Sequence, residues 1–111
     1  MNFLDYQRGT AKTAIYPSRT EIEALSYVTM GLVGEAGEVA NKVKKILRDS
    51  GGRVTAEHRR QLNGELGDVL WYLSQLATEL EYDLGCIAEN NLAKLADRAE
   101  RGALQGSGDA R

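Results

Sequence analysis

The stretch GLVGEAGEV, from Gly31 to Val39, and its echo NGELGDV, from Asn63 to Val69, decide how this chain folds. Each carries the pattern Gly-Glu-x-Gly-acid-Val, first as Gly34-Glu35-Ala36-Gly37-Glu38-Val39 and again as Gly64-Glu65-Leu66-Gly67-Asp68-Val69. Positions three apart on a helix share a side, with Cβ atoms roughly 5–6 Å apart. Glu35 and Glu38 therefore point one way, and so do Glu65 and Asp68. The two pairs are also mirrored, because the midpoint of 35 and 68, and of 38 and 65, falls between Gly51 and Gly52. A chain folded back at that double glycine sets Glu35 level with Asp68 and Glu38 level with Glu65. Four carboxylates then meet at one height on two facing helices.

The surrounding residues predict those helices. Apolar residues recur at helical spacing through Ile22, Leu25, Val28, Leu32, Val33, Val39, Val43 and Ile46, ending near Asp49. Ser50-Gly51-Gly52-Arg53 is the clearest turn, and Thr55 is a natural N-cap for a second arm through Leu62, Leu66, Val69, Leu73, Leu76 and Leu80. A short helix over Asn2 to about Thr13 precedes the hairpin and is broken at Tyr16-Pro17. Ser18-Arg19-Thr20-Glu21 has the form of a capping box for the first arm. Asp83 is positioned to cap a last helix carrying Leu84, Ile87, Leu92 and Leu95, and Cys86 reads as a small core residue on it. The expected fold is all-α, a four-helix protein built on a long antiparallel helical hairpin. Residues 1–101 form one domain, and the polar, glycine-rich tail 102–111 is expected to be disordered. Each arm approaches 30 residues, roughly 40 Å of helix. A globule of 100 residues has a radius of gyration of only about 13 Å. Arms so long and apolar call for surface from another subunit, so a homo-oligomer is expected.

Composition narrows the function. The chain has 111 residues and a net charge of −2, which argues against sequence-independent binding to a nucleic acid polymer. One cysteine excludes an intrachain disulfide and suits a reducing compartment. No apolar run suggests a signal peptide or a membrane span, so a cytoplasmic protein is expected.

Four clustered carboxylates repel one another and must either protonate or share a cation. An isolated Glu-x-x-Glu is an ordinary solvated helix face; two copies mirrored about a double glycine are not. Glycine inside a helix costs about 1 kcal/mol relative to alanine. Gly31, Gly34, Gly37, Gly64 and Gly67 are expected to repay it by letting backbones approach, so that short side chains converge. An all-oxygen set selects a hard cation, Mg²⁺ with Mn²⁺ as substitute. A di-iron site of the Glu-x-x-His kind is disfavoured, because His58, the only histidine, has no acid at matching spacing.

Glu35-x-x-Glu38 followed by Glu65-x-x-Asp68, within GLVGEAGEVANKVKKILRD, ELGDVLWYLSQLA and NNLAKLADR in that order, resembles the MazG-like, all-α nucleoside triphosphate pyrophosphohydrolases. The resemblance covers roughly residues 18 to 98 and is closest to the small stand-alone bacterial and phage type. It implies Mg²⁺-dependent hydrolysis of a nucleoside triphosphate to the monophosphate and pyrophosphate, clearing non-canonical or surplus nucleotides. It further implies metal binding and catalysis by Glu35, Glu38, Glu65 and Asp68, in dimers or tetramers. Asn91 and Lys94 match the family's substrate-binding block, with Arg98 on the same stripe; the bland reading of this stripe is a solvated surface. Lys42, one turn past Glu38, is a further candidate for the phosphates, or else an ordinary i,i+4 partner of Glu38. Tyr72 and Trp71, four and three residues after Asp68, edge a nucleotide pocket or belong to the core. Tyr6 and Tyr16 are weaker candidates to close over a base. Phosphoribosyl-ATP pyrophosphatase shares the bundle and acid pattern and is one alternative. A non-catalytic helical module that binds a protein or senses nucleotide is the other.

Overall fold

The computed structural model describes residues 1–111 and is all-helical, with four α-helices and no strand. Helix α1 is Phe3–Thr10, started by an Asn2–Asp5 capping box. Its expected continuation to Thr13 is present as a tighter 3₁₀ turn, Ala11–Thr13. Helix α2 runs over Glu21–Ser50 and α3 over Ala56–Glu79. Helix α4 is Leu84–Glu100.

The cap of α2 lies two residues beyond the expected one. Thr20, not Ser18, is the N-cap, and its hydroxyl accepts from the Glu23 N–H at 3.2 Å. Glu23 reaches back instead to the Arg19 N–H and guanidinium, which fixes the entry by a charged pair as well as a cap. At the other end Gly51 and Gly52 both take positive φ, 58° and 81°, and the Gly52 N–H returns to the Ile46 carbonyl. L-side chains rarely adopt that conformation, so the double glycine is what turns the chain. Thr55 caps α3 as expected, and His58 completes the box by accepting the Thr55 N–H on Nδ1.

The hairpin of α2 and α3 is antiparallel and holds the mirrored register, with Tyr72 seated on Gly31 and Asp68 beside Glu35. Around it α1 acts as a clasp. The Gln7 amide donates to Thr78 on α3 and to the Tyr82 carbonyl, and its oxygen accepts the Leu84 N–H that opens α4. Gln7 thus does the capping expected of Asp83, which occupies the N-cap position without a side-chain bond. A second knot joins the approach to α2 with α3. The Tyr16 hydroxyl donates to Glu79 and lies against Gln75, whose amide donates to Thr10. Burial, then Glu79, holds the Tyr16 phenol far above its ordinary value, so it remains protonated through the physiological range.

Few side chains are fully enclosed; the buried apolar set is Ala24, Val28, Ile46, Ala77 and Leu84. Met30, Val33 and Leu92 are 67%, 66% and 67% exposed. The radius of gyration is 17.0 Å, well above the ~13 Å of a compact chain this size. Cys86 is exposed rather than in the core, because along α4 only Leu84 and Arg98 are buried by the rest of the chain. No helix is long and apolar enough to cross a membrane.

Candidate active site

Midway along the hairpin, Glu35 from α2 and Glu65 and Asp68 from α3 present carboxylate oxygens that all lie within 4.8 Å of one another. Glu35 feels this directly. Its pKa is raised, first by burial and then by Asp68, Glu65 and Glu38 in that order. Glu38 is near enough to act on Glu35 but stands outside the trio. It is exposed, one turn nearer the bend, and borders a separate hollow. The expected foursome is therefore a close trio with a fourth acid at its rim, because the register aligns backbones while each side chain settles where repulsion is least.

Lys42 supplies the nearest positive charge. It pairs across the hairpin with Glu65 at 3.4 Å, not along its own helix with Glu38. It also lines the hollow toward the bend, about 290 Å³, together with Glu38, Lys45, Asp49, His58 and Gln61. On the opposite side of the trio lies a second hollow of about 320 Å³, formed by Thr13, Glu35, Asp68, Trp71 and Tyr72. The acids thus separate a hollow containing two lysines from one walled by aromatic rings.

The aromatic side is well tied. Trp71 donates its indole N–H to the Thr13 hydroxyl at 3.0 Å and meets Tyr72 edge-on at 5.0 Å between ring centres. Tyr16 stacks on Tyr27 at 5.5 Å and turns an edge toward Trp71. Burial, then Tyr27, Glu35 and Asp68, pushes the Tyr72 phenol above its usual value. Tyr6 is likewise shifted up by burial and by Asp68. Thr13 and Tyr27 were not singled out from the sequence; only tertiary folding brings them to this cluster.

The other candidates lie elsewhere. Asn91 and Lys94 border a hollow on α4 with Tyr82, Ile87 and Asn90, and neither reaches the hollows beside the acids. Arg98 is only 4% exposed and donates to the Asp109 carbonyl at 2.9 Å, while the Asp109 carboxylate sits 3.5 Å from Arg98 and 3.7 Å from Lys94. The glycines also depart from expectation. A Cβ at Gly34, Gly37, Gly64 or Gly67 would meet open space, so within one chain these four do not bring backbones together. Only Gly31 has a neighbour, the Tyr72 ring.

Comparison with known proteins accords with this arrangement. The MazG nucleotide pyrophosphohydrolase domain matches residues 24–102, which takes in both acid pairs and the whole of α4. The chain is 58% identical over 109 residues to the "Gene 37 protein" of Mycobacterium phage L5, with 96% of each chain covered. No solved structure matches. A domain match spanning most of the chain, and carrying both mirrored acid pairs, shows that this protein belongs to the MazG nucleotide pyrophosphohydrolase family.

Proposed function

We propose that the protein hydrolyses a nucleoside triphosphate to the nucleoside monophosphate and pyrophosphate, acting on non-canonical or surplus nucleotides. The observation that carries this reading is the trio of carboxylates from two helices, with ligand oxygens within 4.8 Å. The set fits a hard divalent cation, since every donor is a carboxylate oxygen, and burial together with the neighbouring acids raises the Glu35 pKa, a cost that a cation relieves. Glu35, Glu65 and Asp68 would hold Mg²⁺, or Mn²⁺ in its place, and Glu38 can complete the set or orient the attacking water. When bound, the ion supplies Lewis-acid polarisation of the phosphate and a lowered pKa for water.

The protein's own residues then divide the work along the hairpin. Trp71, Tyr72 and Thr13 take the nucleoside on one side of the acids. Lys42 and Lys45 face the outer phosphates on the other, where Lys42 leaves Glu65 for the incoming negative charge. The assembly we propose is a homo-oligomer, a dimer or tetramer, that covers exposed apolar side chains such as Met30, Val33 and Leu92. In such an assembly α4 of a second copy can bring Asn91 and Lys94 to a hairpin from which they stand apart within one chain.

The test is a panel of canonical, deoxy and modified nucleoside triphosphates with Mg²⁺, measuring pyrophosphate against orthophosphate. Pyrophosphate release that stops with EDTA and returns with Mg²⁺ is expected. Magnesium should also raise the melting temperature, since ligand at ~100 times its Kd stabilises the native state by about 2.7 kcal/mol. Orthophosphate as the product, or activity confined to phosphoribosyl-ATP, would move the enzyme to a different reaction or substrate. An inert protein whose melting ignores Mg²⁺ and Mn²⁺ would point to a non-catalytic module.

A further inference from the structure

Among the glycines of the two acidic motifs, Gly31 alone is occupied by a neighbour. A methyl group placed on it would fall inside the Tyr72 ring, whereas the same group on Gly34, Gly37, Gly64 or Gly67 would meet nothing within 4 Å. The seat follows from the hairpin's register, since 31 and 72 mirror each other about the double glycine as 35 and 68 do. The Tyr72 ring is also met edge-on by Trp71, which is held in turn by Thr13. These three side chains form the wall of the hollow that opens on Glu35 and Asp68.

We propose that Gly31 is a specificity-determining position. Its missing side chain lets the Tyr72 ring lie against α2, and this sets the width of the slot that admits the base and sugar of a nucleoside triphosphate. The proposal rests on the nucleotide reading of the site and adds to it a residue that touches neither metal nor phosphate. With any side chain at 31 the ring must leave α2. Trp71 closes one way out, so the ring swings into the slot, and the nucleoside loses its space while the acids keep theirs.

A four-protein cycle tests this: wild type, Gly31→Ala, Tyr72→Ala and the double variant, each melted and each assayed for pyrophosphate release on the best substrate of the panel. Alanine is a better helix former than glycine, so with Tyr72 shortened, Gly31→Ala should raise the melting temperature. In the wild-type background that gain should vanish or reverse, because the ring is evicted. There KM should rise about tenfold or more with kcat nearly unchanged, the mark of lost substrate binding and not of a damaged reaction centre. The near-ultraviolet circular dichroism of the aromatic cluster should change from wild type to Gly31→Ala, and should stay the same from Tyr72→Ala to the double variant. Equal stabilisation in both backgrounds would overturn the seat, and an unaltered KM despite coupled melting would overturn its role in specificity. A wild type inert toward every nucleotide would refute the functional reading instead, and the melting cycle would still report whether the ring needs a bare glycine.

Discussion

Glu35→Gln should lower pyrophosphate release by about 10³-fold or more and, in the same protein, raise the melting temperature of the metal-free form at neutral pH. The two effects have one origin. Glutamine keeps the shape of the side chain but removes a charge held close to Glu65 and Asp68. In the reaction proposed above, the loss is of a metal ligand, and with it the several kcal/mol of charge stabilisation that a divalent ion would give the transition state; about 4 kcal/mol corresponds to about 10³-fold. Stability moves the other way because burial and the three neighbouring carboxylates raise the folded-state pKa of Glu35 above its unfolded value. Ionised Glu35 is thus a penalty in the fold, absent at low pH and developed fully once pH exceeds the raised value. Wild type without metal should therefore gain stability relative to Glu35→Gln as pH falls through that range, until the two converge near pH 4. Thermal melts in EDTA at pH 4 and 7, beside pyrophosphate assays with Mg²⁺, check both halves. A metal-free variant that melts below wild type at pH 7 would show that Glu35 is held by attraction, and the cluster would lose its case as a cation site.

Gln7→Ala should be the most damaging of the single substitutions away from the acids. The amide makes three hydrogen bonds at 2.8–3.0 Å, to Thr78, the Tyr82 carbonyl and the Leu84 N–H. Leu84 is buried, so its N–H loses its partner where water enters poorly, and each such orphan costs roughly 1–3 kcal/mol. A loss of about 3 kcal/mol is expected, or roughly 10 °C in melting temperature for a chain of this size. Gln7→Glu keeps the acceptor for Leu84 but loses the donor to Thr78 and Tyr82, and should fall between wild type and Gln7→Ala. A change below about 0.5 kcal/mol would mean that the start of α4 is solvated and the clasp is incidental. Because α1 runs straight into Thr13, which grips Trp71, the same substitution should loosen the aromatic wall of the site.

These two residues also mark what could and could not be read from the chain. Glu35 was legible because a helix's period converts spacing into direction, and the mirror about Gly51 and Gly52 converts direction into register. That the side chain of Glu38 parts from the trio was not legible, since register positions backbones and leaves rotamers to local repulsion. Gln7 gave no sign of its role as a clasp. Its partners lie more than 70 residues away, and nothing in FLDYQRGT distinguishes a clasp from a solvated glutamine. Likewise Cys86 fits an apolar periodicity on α4, yet periodicity does not say that another element comes to cover it. The glycine-rich motif reads as a means of bringing backbones together; the structure instead seats a side chain, the Tyr72 ring, on Gly31 and leaves the other four open.

The bend of five residues between Ser50 and Ala56 is a connector and not a template. The arms meet in register far from it, where Tyr72 sits on Gly31. Doubling a flexible loop costs only about 0.6 kcal/mol of closure entropy. Four extra glycine and serine residues inserted after Gly52 should therefore leave pyrophosphate release close to wild type. The hairpin can be rewired at its tip, where a reporter peptide or a protease site would sit without disturbing what lies between the arms.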